Sequence, residues 1–241
     1  MNHDPARRDF LRLVGVAVPA SMVLCACGGH DTGGTARGAG SSTAYFAPEE
    51  MDFITAATAR LIPDDALGAG ADKAGVPTFI DLQLAGPYGR AERWYMQGPW
   101  PNGINGQGYQ LRYTPAQIYR QAIAGVNAHC RKQYQQPFAK LTGEQQDAVL
   151  HALEGGKVDL GDLPSKTFFD LLWQNTQEGF LADPAYGGNR DFAGWKLIGY
   201  NGPRYNYVRE IGQYGKPYQQ PFVSLIGRVP GAALAHAGGA A

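Results

Sequence analysis

The stretch 178–202, EGFLADPAYGGNRDFAGWKLIGYNG, constrains the fold more than any other part of the chain. Asp183-Pro184 and Gly187-Gly188 are turn-forming pairs, and glycine readily adopts the positive-φ conformations that tight turns need. Large aromatic rings stand between these turns, and such rings need burial. Those rings are Phe180, Tyr186, Phe192, Trp195 and Tyr200. The stretch is therefore expected to be an ordered, non-repetitive segment that packs against a core.

Start and stop signals predict about five helices around this segment. Pro48 at a first helical position, followed by Glu49 and Glu50, favours a helix start, and Pro63 stops that helix. A second, short helix is expected over 78–85. Its predicted buried side chains are Phe79, Leu82 and Ile80.

Two capping boxes, Thr114–Gln117 and Thr142–Gln145, begin the third and fourth helices. A fifth helix follows Pro164 and ends at Asp183-Pro184, with Gly179 interrupting its last turn. The third helix has an inward stripe of Ile118, Tyr119, Ala122, Ile123, Val126 and Cys130, with Asn127 toward water. The fourth places Ala148, Val149, Ala152 and Leu153 inward, with His151 toward solvent. Phe168, Phe169, Leu171, Leu172 and Trp173 make the fifth apolar on several faces, as expected for a central helix. We predict a mainly α fold, an irregular orthogonal helical bundle with long, ordered, aromatic-rich loops.

The loop 86–113 has no helical or strand period and is rich in aromatic residues and arginine, the composition of protein–protein hot spots. The residues predicted to contact a partner here are Trp94, Tyr95, Trp100 and Tyr109. Alternatively, Trp94 and Trp100 cap the domain's own core. After Gly202 we expect an extended arm with one helical turn at 208–211, which either wraps a partner or lies along the domain's own surface. Its predicted contact residues are Tyr205, Tyr207, Tyr214 and Tyr218.

Composition excludes several classes of function. Lys and Arg total 21, as do Asp and Glu, and no basic stripe stands out, so a nucleic-acid partner is not expected. No dinucleotide-binding, phosphate-loop or haem-attachment motif occurs in the sequence. His129 and Cys130 are neighbours that point about 100° apart on a helix, so they do not share a ligand face and Cys130 is read as a small core residue. Asp64-Asp65 is read as a solvated turn.

The first 27 residues have the form of a leader. Arg7-Arg8, then Phe10-Leu11 and a short, weakly apolar run resemble a twin-arginine export signal. An ordinary secretion signal that happens to contain two arginines is the alternative.

Leu24 to Cys27 resembles a lipoprotein cleavage box, with Cys27 as the lipid acceptor. The alternatives are cleavage with soluble release, and a metal or redox pair of Cys25 and Cys27. The expected organisation is a signal over 1–27, a flexible Gly/Ser/Thr-rich linker over 28–47, a helical domain over 48–230 and a disordered tail over 231–241.

The segment 178–202 resembles the signature of the gluconate 2-dehydrogenase subunit 3 family. The residues that carry the resemblance are Glu178, Gly179, Asp183, Pro184, Tyr186, Gly187, Gly188, Asn189, Gly194, Trp195, Gly199 and Tyr200. The resemblance implies a small subunit with no catalytic, cofactor-binding or metal-binding residues of its own. It also implies a large FAD-dependent dehydrogenase subunit as partner, a multihaem cytochrome c subunit, and a periplasmic, membrane-associated complex.

Two other functions remain open at the level of sequence. One is an independent periplasmic enzyme that uses polar groups of the signature, namely Glu178, Asp183, Asn189 and Asp191. The other is a stand-alone lipoprotein that binds a sugar through exposed tryptophan and tyrosine rings.

Overall fold

The computed structural model describes residues 43–101, 103–104, 107–218, 220–225 and 227. Within these ranges the regular structure is helical, which confirms the predicted mainly α class. The α-helices are α1 (Pro48–Leu61), α2 (Val76–Ala85), α3 (Pro115–Tyr134), α4 (Gly143–Glu154), α5 (Ser165–Leu181) and α6 (Ala193–Ile198). Short 3₁₀ turns occupy Phe138–Lys140, Pro184–Tyr186 and Arg190–Phe192.

Helix α5 lies at the centre and contacts each of the other five α-helices. Phe168 and Leu172 are fully buried, and the Phe168 ring packs edge-on against Tyr119 of α3 at 5.5 Å. The prediction of a central helix is therefore confirmed. Trp173, expected inward, instead lies at the surface.

The predicted helix starts are confirmed by their hydrogen bonds. The Thr114 hydroxyl accepts from the backbone N–H of Gln117 at 3.3 Å, and Gln117 Oε1 accepts from the N–H of Thr114 at 2.9 Å. Thr142 and Gln145 form the same pair of bonds at the start of α4. These reciprocal bonds satisfy N–H groups that a helix start otherwise leaves unpaired.

Several predicted side-chain directions are wrong, and the errors have physical causes. Asn127 is buried because its Oδ1 accepts from the backbone N–H of Phe138 at 3.0 Å. Leu82 is 45% exposed and Ala148 is exposed, because the buried face of α2 runs through Phe79, Ile80 and Leu84 and that of α4 through Val149, Leu150 and Leu153. The pattern thus predicts most of each buried face and misplaces single residues beside it.

Gly179 does not interrupt α5, which continues to Leu181. A Cβ at Gly179 would lie 2.7 Å from Cδ1 of Phe79, so the missing side chain lets α5 and α2 pack closely. Cys130 and His151 behave as predicted. Cys130 is fully buried, where burial raises the pKa of its thiol to about 11, and His151 is exposed.

The domain begins before Pro48, because the last residues of the predicted linker pack against it. The backbone N–H groups of Ala44, Tyr45 and Phe46 all donate to the Asp81 carboxylate, at 2.5, 2.9 and 2.8 Å. The Phe46 ring is 2% exposed and joins the core. The leader, most of the predicted linker and the predicted tail lie outside the described residues.

Candidate functional site

Asn189 organises the signature turns. Its side chain is fully buried, donates from Nδ2 to the carbonyl oxygen of Ala182 at 2.8 Å, and accepts at Oδ1 from the N–H of Gly194 at 2.9 Å and of Trp195 at 3.4 Å. The backbone at Asn189 is left-handed, with φ of 47°, a conformation that asparagine tolerates better than most residues. Asn189 therefore joins the end of α5 to the start of α6.

Two glycines let the returning chain lie directly on α5. A Cβ on Gly188 would overlap the carbonyl oxygen of Gly179, and a Cβ on Gly194 would overlap that of Phe180. Gly187 has φ of 92°, as predicted for the tight turn. Gly188 does not have a positive φ, so its smallness and not its flexibility explains its place in the signature.

The rings of the signature form a stack over this turn. Phe192 stacks on Trp195 at 5.5 Å and on Phe222 at 5.2 Å, and the Trp195 indole N–H donates to the carbonyl oxygen of Leu181 at 2.8 Å. Tyr200 packs edge-on against Trp195 at 4.9 Å. The predicted burial holds for Phe180, Phe192 and Trp195, whereas Tyr186 and Tyr200 are 51% and 39% exposed.

Glu178, itself exposed, supports a polar network that runs inward from the surface and that the sequence did not indicate. Its carboxylate accepts from Asn175 Nδ2 at 3.0 Å, and Asn175 Oδ1 in turn accepts from the hydroxyls of Tyr119 at 2.9 Å and Tyr88 at 3.1 Å. Burial raises the pKa of Tyr88 to about 12 and raises that of Tyr119 well above its ordinary value. The network joins α3, α5 and the loop 86–113, which we call the aromatic loop.

The acidic and amide groups of the signature are engaged in local structure. Asp183 accepts from the N–H of Ala185 at 2.9 Å and of Leu225 at 2.8 Å, and Asp191 lies exposed on a left-handed turn. Glu178 and Asn189 are hydrogen-bonded as described above. Three of the four polar groups of the signature therefore have structural partners. Over the described ranges, no three His, Cys, Asp or Glu side chains gather as metal ligands.

The aromatic loop folds back on the domain and encloses a cleft of about 680 Å³ with α5. Trp94 packs edge-on against Tyr88 at 6.1 Å and contacts Tyr109 at 5.0 Å, so Trp94 and Tyr109 are half-buried. Tyr95 is 81% exposed and Trp100 38%. Trp94 and Tyr109 thus line the cleft, while Tyr95 and Trp100 stand at the surface.

The segment after Gly202 forms a closed loop, not the extended arm that was predicted. Asn201 joins its two ends, because Nδ2 donates to the carbonyl oxygens of Tyr218 and Gln220 at 3.4 and 2.5 Å, and the N–H of Val223 donates to the Asn201 carbonyl at 3.1 Å. Residues 208–211 form hydrogen-bonded turns and no helix. We call residues 202–223 the clasped loop.

The predicted contact tyrosines of the clasped loop divide into two pairs. Tyr207 and Tyr218 contact each other at 5.7 Å and line a cleft of about 560 Å³ beneath the loop. Tyr205 and Tyr214 are 102% and 88% exposed. Only the second pair is fully presented to a partner.

The export residues Arg7, Arg8, Phe10 and Leu11 and the lipid acceptor Cys27 lie outside the described residues. None of the helices in the described part of the chain combines the length and the hydropathy that a bilayer span requires.

Comparison with known proteins gives one match. The family model described as gluconate 2-dehydrogenase subunit 3 matches residues 48–202, which run from the start of α1 through the signature. The chain belongs to the gluconate 2-dehydrogenase subunit 3 family. No curated protein matches the chain, and no solved structure matches it.

Family membership indicates an accessory subunit of a multi-subunit dehydrogenase complex. The matched range ends at Gly202, the first residue of the clasped loop. It therefore includes the α5–α6 turn held by Asn189 and the aromatic loop, and stops where the clasped loop begins.

Proposed function

We propose that this chain is the non-catalytic small subunit of a periplasmic, membrane-associated, FAD-dependent dehydrogenase of the gluconate 2-dehydrogenase type. The observation that carries this proposal is the family match over residues 48–202. In this proposal, FAD belongs to a large partner subunit and haem c to a multihaem cytochrome subunit.

The local structure supports a scaffolding role. Of the four polar groups that an enzyme would use in the signature, Glu178, Asp183 and Asn189 form hydrogen bonds that hold the α5–α6 turn or its supports, and Asp191 lies exposed. Asn189 is fully buried with its amide hydrogen-bonded, and such a group stabilises one arrangement of the chain. These residues therefore serve the shape of the subunit.

The leader supplies the second half of the proposal. The twin-arginine pattern at Arg7-Arg8 fits export of an already folded protein. We infer that the flavin subunit folds around its cofactor in the cytoplasm and crosses the membrane bound to this chain. Lipidation at Cys27 would then hold the complex at the periplasmic membrane face.

The partner-contact surface in this proposal consists of exposed rings on two loops. Tyr95 and Trp100 belong to the aromatic loop, and Tyr205 and Tyr214 to the clasped loop. Exposed aromatic residues dominate the energetics of many protein interfaces. Trp94, Tyr109, Tyr207 and Tyr218 contribute by holding those loops in shape.

Affinity purification of the tagged full chain from native membranes in mild detergent tests the proposal. We expect a large flavoprotein with flavin absorbance and a c-type cytochrome in the purified material, identified by mass spectrometry. Deletion of this chain should also leave the flavin subunit in the cytoplasm. Recovery of this chain alone, without colour, contradicts the proposal.

A further inference from the structure

We propose that the cleft between the aromatic loop and α5 binds a neutral saccharide. The cleft measures about 680 Å³, within the range of roughly 300–1,000 Å³ typical of small-molecule sites. That volume suits a mono- or disaccharide. The site is formed by this chain alone, so the proposal goes beyond the proposed subunit function and is independent of it.

Three rings form the apolar wall of the cleft, namely those of Tyr88, Trp94 and Tyr109. Both tyrosine hydroxyls donate to the protein, Tyr88 to Asn175 Oδ1 and Tyr109 to the carbonyl oxygen of Tyr113. These bonds fix the rings before any ligand arrives, which lowers the entropic cost of binding. A fixed aromatic surface is suited to packing against the C–H faces of a pyranose ring.

Polar side chains of α5 also line the cleft. Thr167, Asp170 and Gln174 lie on one face of the helix at spacings of three and four residues. Gln174 is oriented by a hydrogen bond from its Nε2 to Glu178 Oε1 at 2.8 Å. A hydroxyl, a carboxylate and an amide provide the donors and acceptors that sugar hydroxyls require.

The charge of the cleft selects between classes of sugar. Among the described residues that line it, Asp170 is the one charged group, and its carboxylate is held by Lys166 Nζ at 2.6 and 2.9 Å. No cationic side chain among those lining residues offers a partner to an anionic ligand. A neutral sugar is therefore favoured, and a sugar acid is disfavoured because no lining residue offers its carboxylate a cationic partner.

Titration of the purified full chain with methyl β-D-glucopyranoside, followed by tryptophan fluorescence and calorimetry, tests the proposal. We expect saturable binding with a Kd on the order of 1 mM. Methyl β-D-glucuronide keeps the pyranose ring but adds a carboxylate that no lining cation can pair with, so we expect it to bind at least tenfold more weakly. Glycerol, a polyol without a ring face, should give no saturable signal.

Two variants locate the binding in the cleft. Trp94→Ala removes the central ring and should weaken binding about tenfold. Gln174→Ala changes an exposed helix residue without disturbing the core, so it tests the cleft even if the ring variant unfolds. Trp173→Ala and Gln177→Ala are matched controls on α5, because neither residue lines the cleft, and both should bind as the wild type does.

Three results would overturn the proposal. The first is no saturable signal at about 50 times the expected Kd. The second is equal binding by the wild type and Gln174→Ala. The third is methyl β-D-glucuronide binding as tightly as the neutral sugar. Because every titration uses this chain without a flavoprotein, these outcomes do not depend on the proposed subunit function.

Discussion

The Asn189 side chain accepts, at Oδ1, a hydrogen bond of 2.9 Å from the backbone N–H of Gly194, and this bond fixes the start of α6 against the end of α5. Asn189→Ala removes that bond and the one to Ala182, and it leaves their partners unpaired in a buried site. We expect a loss of about 2–4 kcal/mol in the free energy of unfolding. Urea denaturation followed by circular dichroism measures the loss.

A second substitution at Asn189 separates hydrogen bonding from backbone strain. Alanine at this left-handed position also costs roughly 1–2 kcal/mol of conformational energy, which glycine avoids. Asn189→Gly should therefore be less destabilising than Asn189→Ala, although both lose the same bonds. Equal stability of all three proteins would contradict the role given to the asparagine side chain.

Gly188→Ala tests the close approach of the signature to α5. The new Cβ would overlap the carbonyl oxygen of Gly179, so the turn must move away from the helix. We expect a destabilisation of about 2–4 kcal/mol, measured as a lower midpoint of thermal unfolding. Gly212→Ala is the matched control, because a Cβ there meets open space and should change the free energy of unfolding by less than about 1 kcal/mol.

Asp81 holds the chain segment that precedes the first helix. Its carboxylate accepts three backbone N–H groups, those of residues 44–46. Asp81→Ala should release this segment and expose Phe46, so hydrogen exchange of the amides of 45 and 46 should accelerate at least tenfold. Asp52→Ala, an exposed change on α1, should leave that exchange rate unaltered. Unchanged protection in Asp81→Ala would show that the Phe46 ring alone anchors the segment.

Two tyrosines of the aromatic loop, Tyr88 and Tyr109, predict a loss of stability at alkaline pH. Burial raises the pKa values of Tyr88 and Tyr109 to about 12, while the unfolded chain titrates near the ordinary value of 10.0. The stability that these raised pKa values contribute is therefore complete below pH 10. It is lost as the pH rises toward 12, because the tyrosines of the unfolded state lose their protons first. For Tyr88 the free energy of unfolding should fall by up to about 1.4 kcal/mol per pH unit in this window. Urea titrations at several pH values measure this slope, and Tyr88→Phe should reduce it.

The helices were predictable from sequence because their signals are local. Thr114 and Gln117 lie three residues apart and cap α3 as the pattern indicates. The buried stripe of α3 also follows from its spacing. The burial of Asn127 was not predictable in this way, because it depends on a hydrogen bond with the backbone of Phe138, which lies beyond the helix.

The signature could be located from sequence, but its geometry could not be derived. Its glycines indicated turns, yet the need for a small residue at Gly188 arises from contact with Gly179, nine positions earlier and one helical element away. Helix α6 was missed because Gly194 and Gly199 obscure its short period. The clasped loop was predicted as extended because the contacts of Asn201 with Tyr218 and Gln220 are not visible in the local pattern.

The proposed partner surface predicts a specific loss of assembly. The Tyr205 and Tyr214 side chains are 102% and 88% exposed, and each can bury on the order of 150–200 Å² in a partner. Tyr205→Ser combined with Tyr214→Ser should therefore weaken binding of the flavoprotein at least tenfold. Quantitative affinity purification from membranes measures the retained flavoprotein, and circular dichroism checks that the helices are intact.

Leu67→Ser is the matched control for this experiment. Leu67 is an apolar side chain, 76% exposed, on a different tight turn. Its loss should leave the amount of retained flavoprotein unchanged, since the proposed surface lies on the other two loops. Trp100→Ser should weaken binding as well, though less, because that ring is only 38% exposed. Full retention in both the tyrosine double variant and Trp100→Ser would remove the clasped and aromatic loops from the interface. Loss in Leu67→Ser would instead move the interface to the turn 65–68.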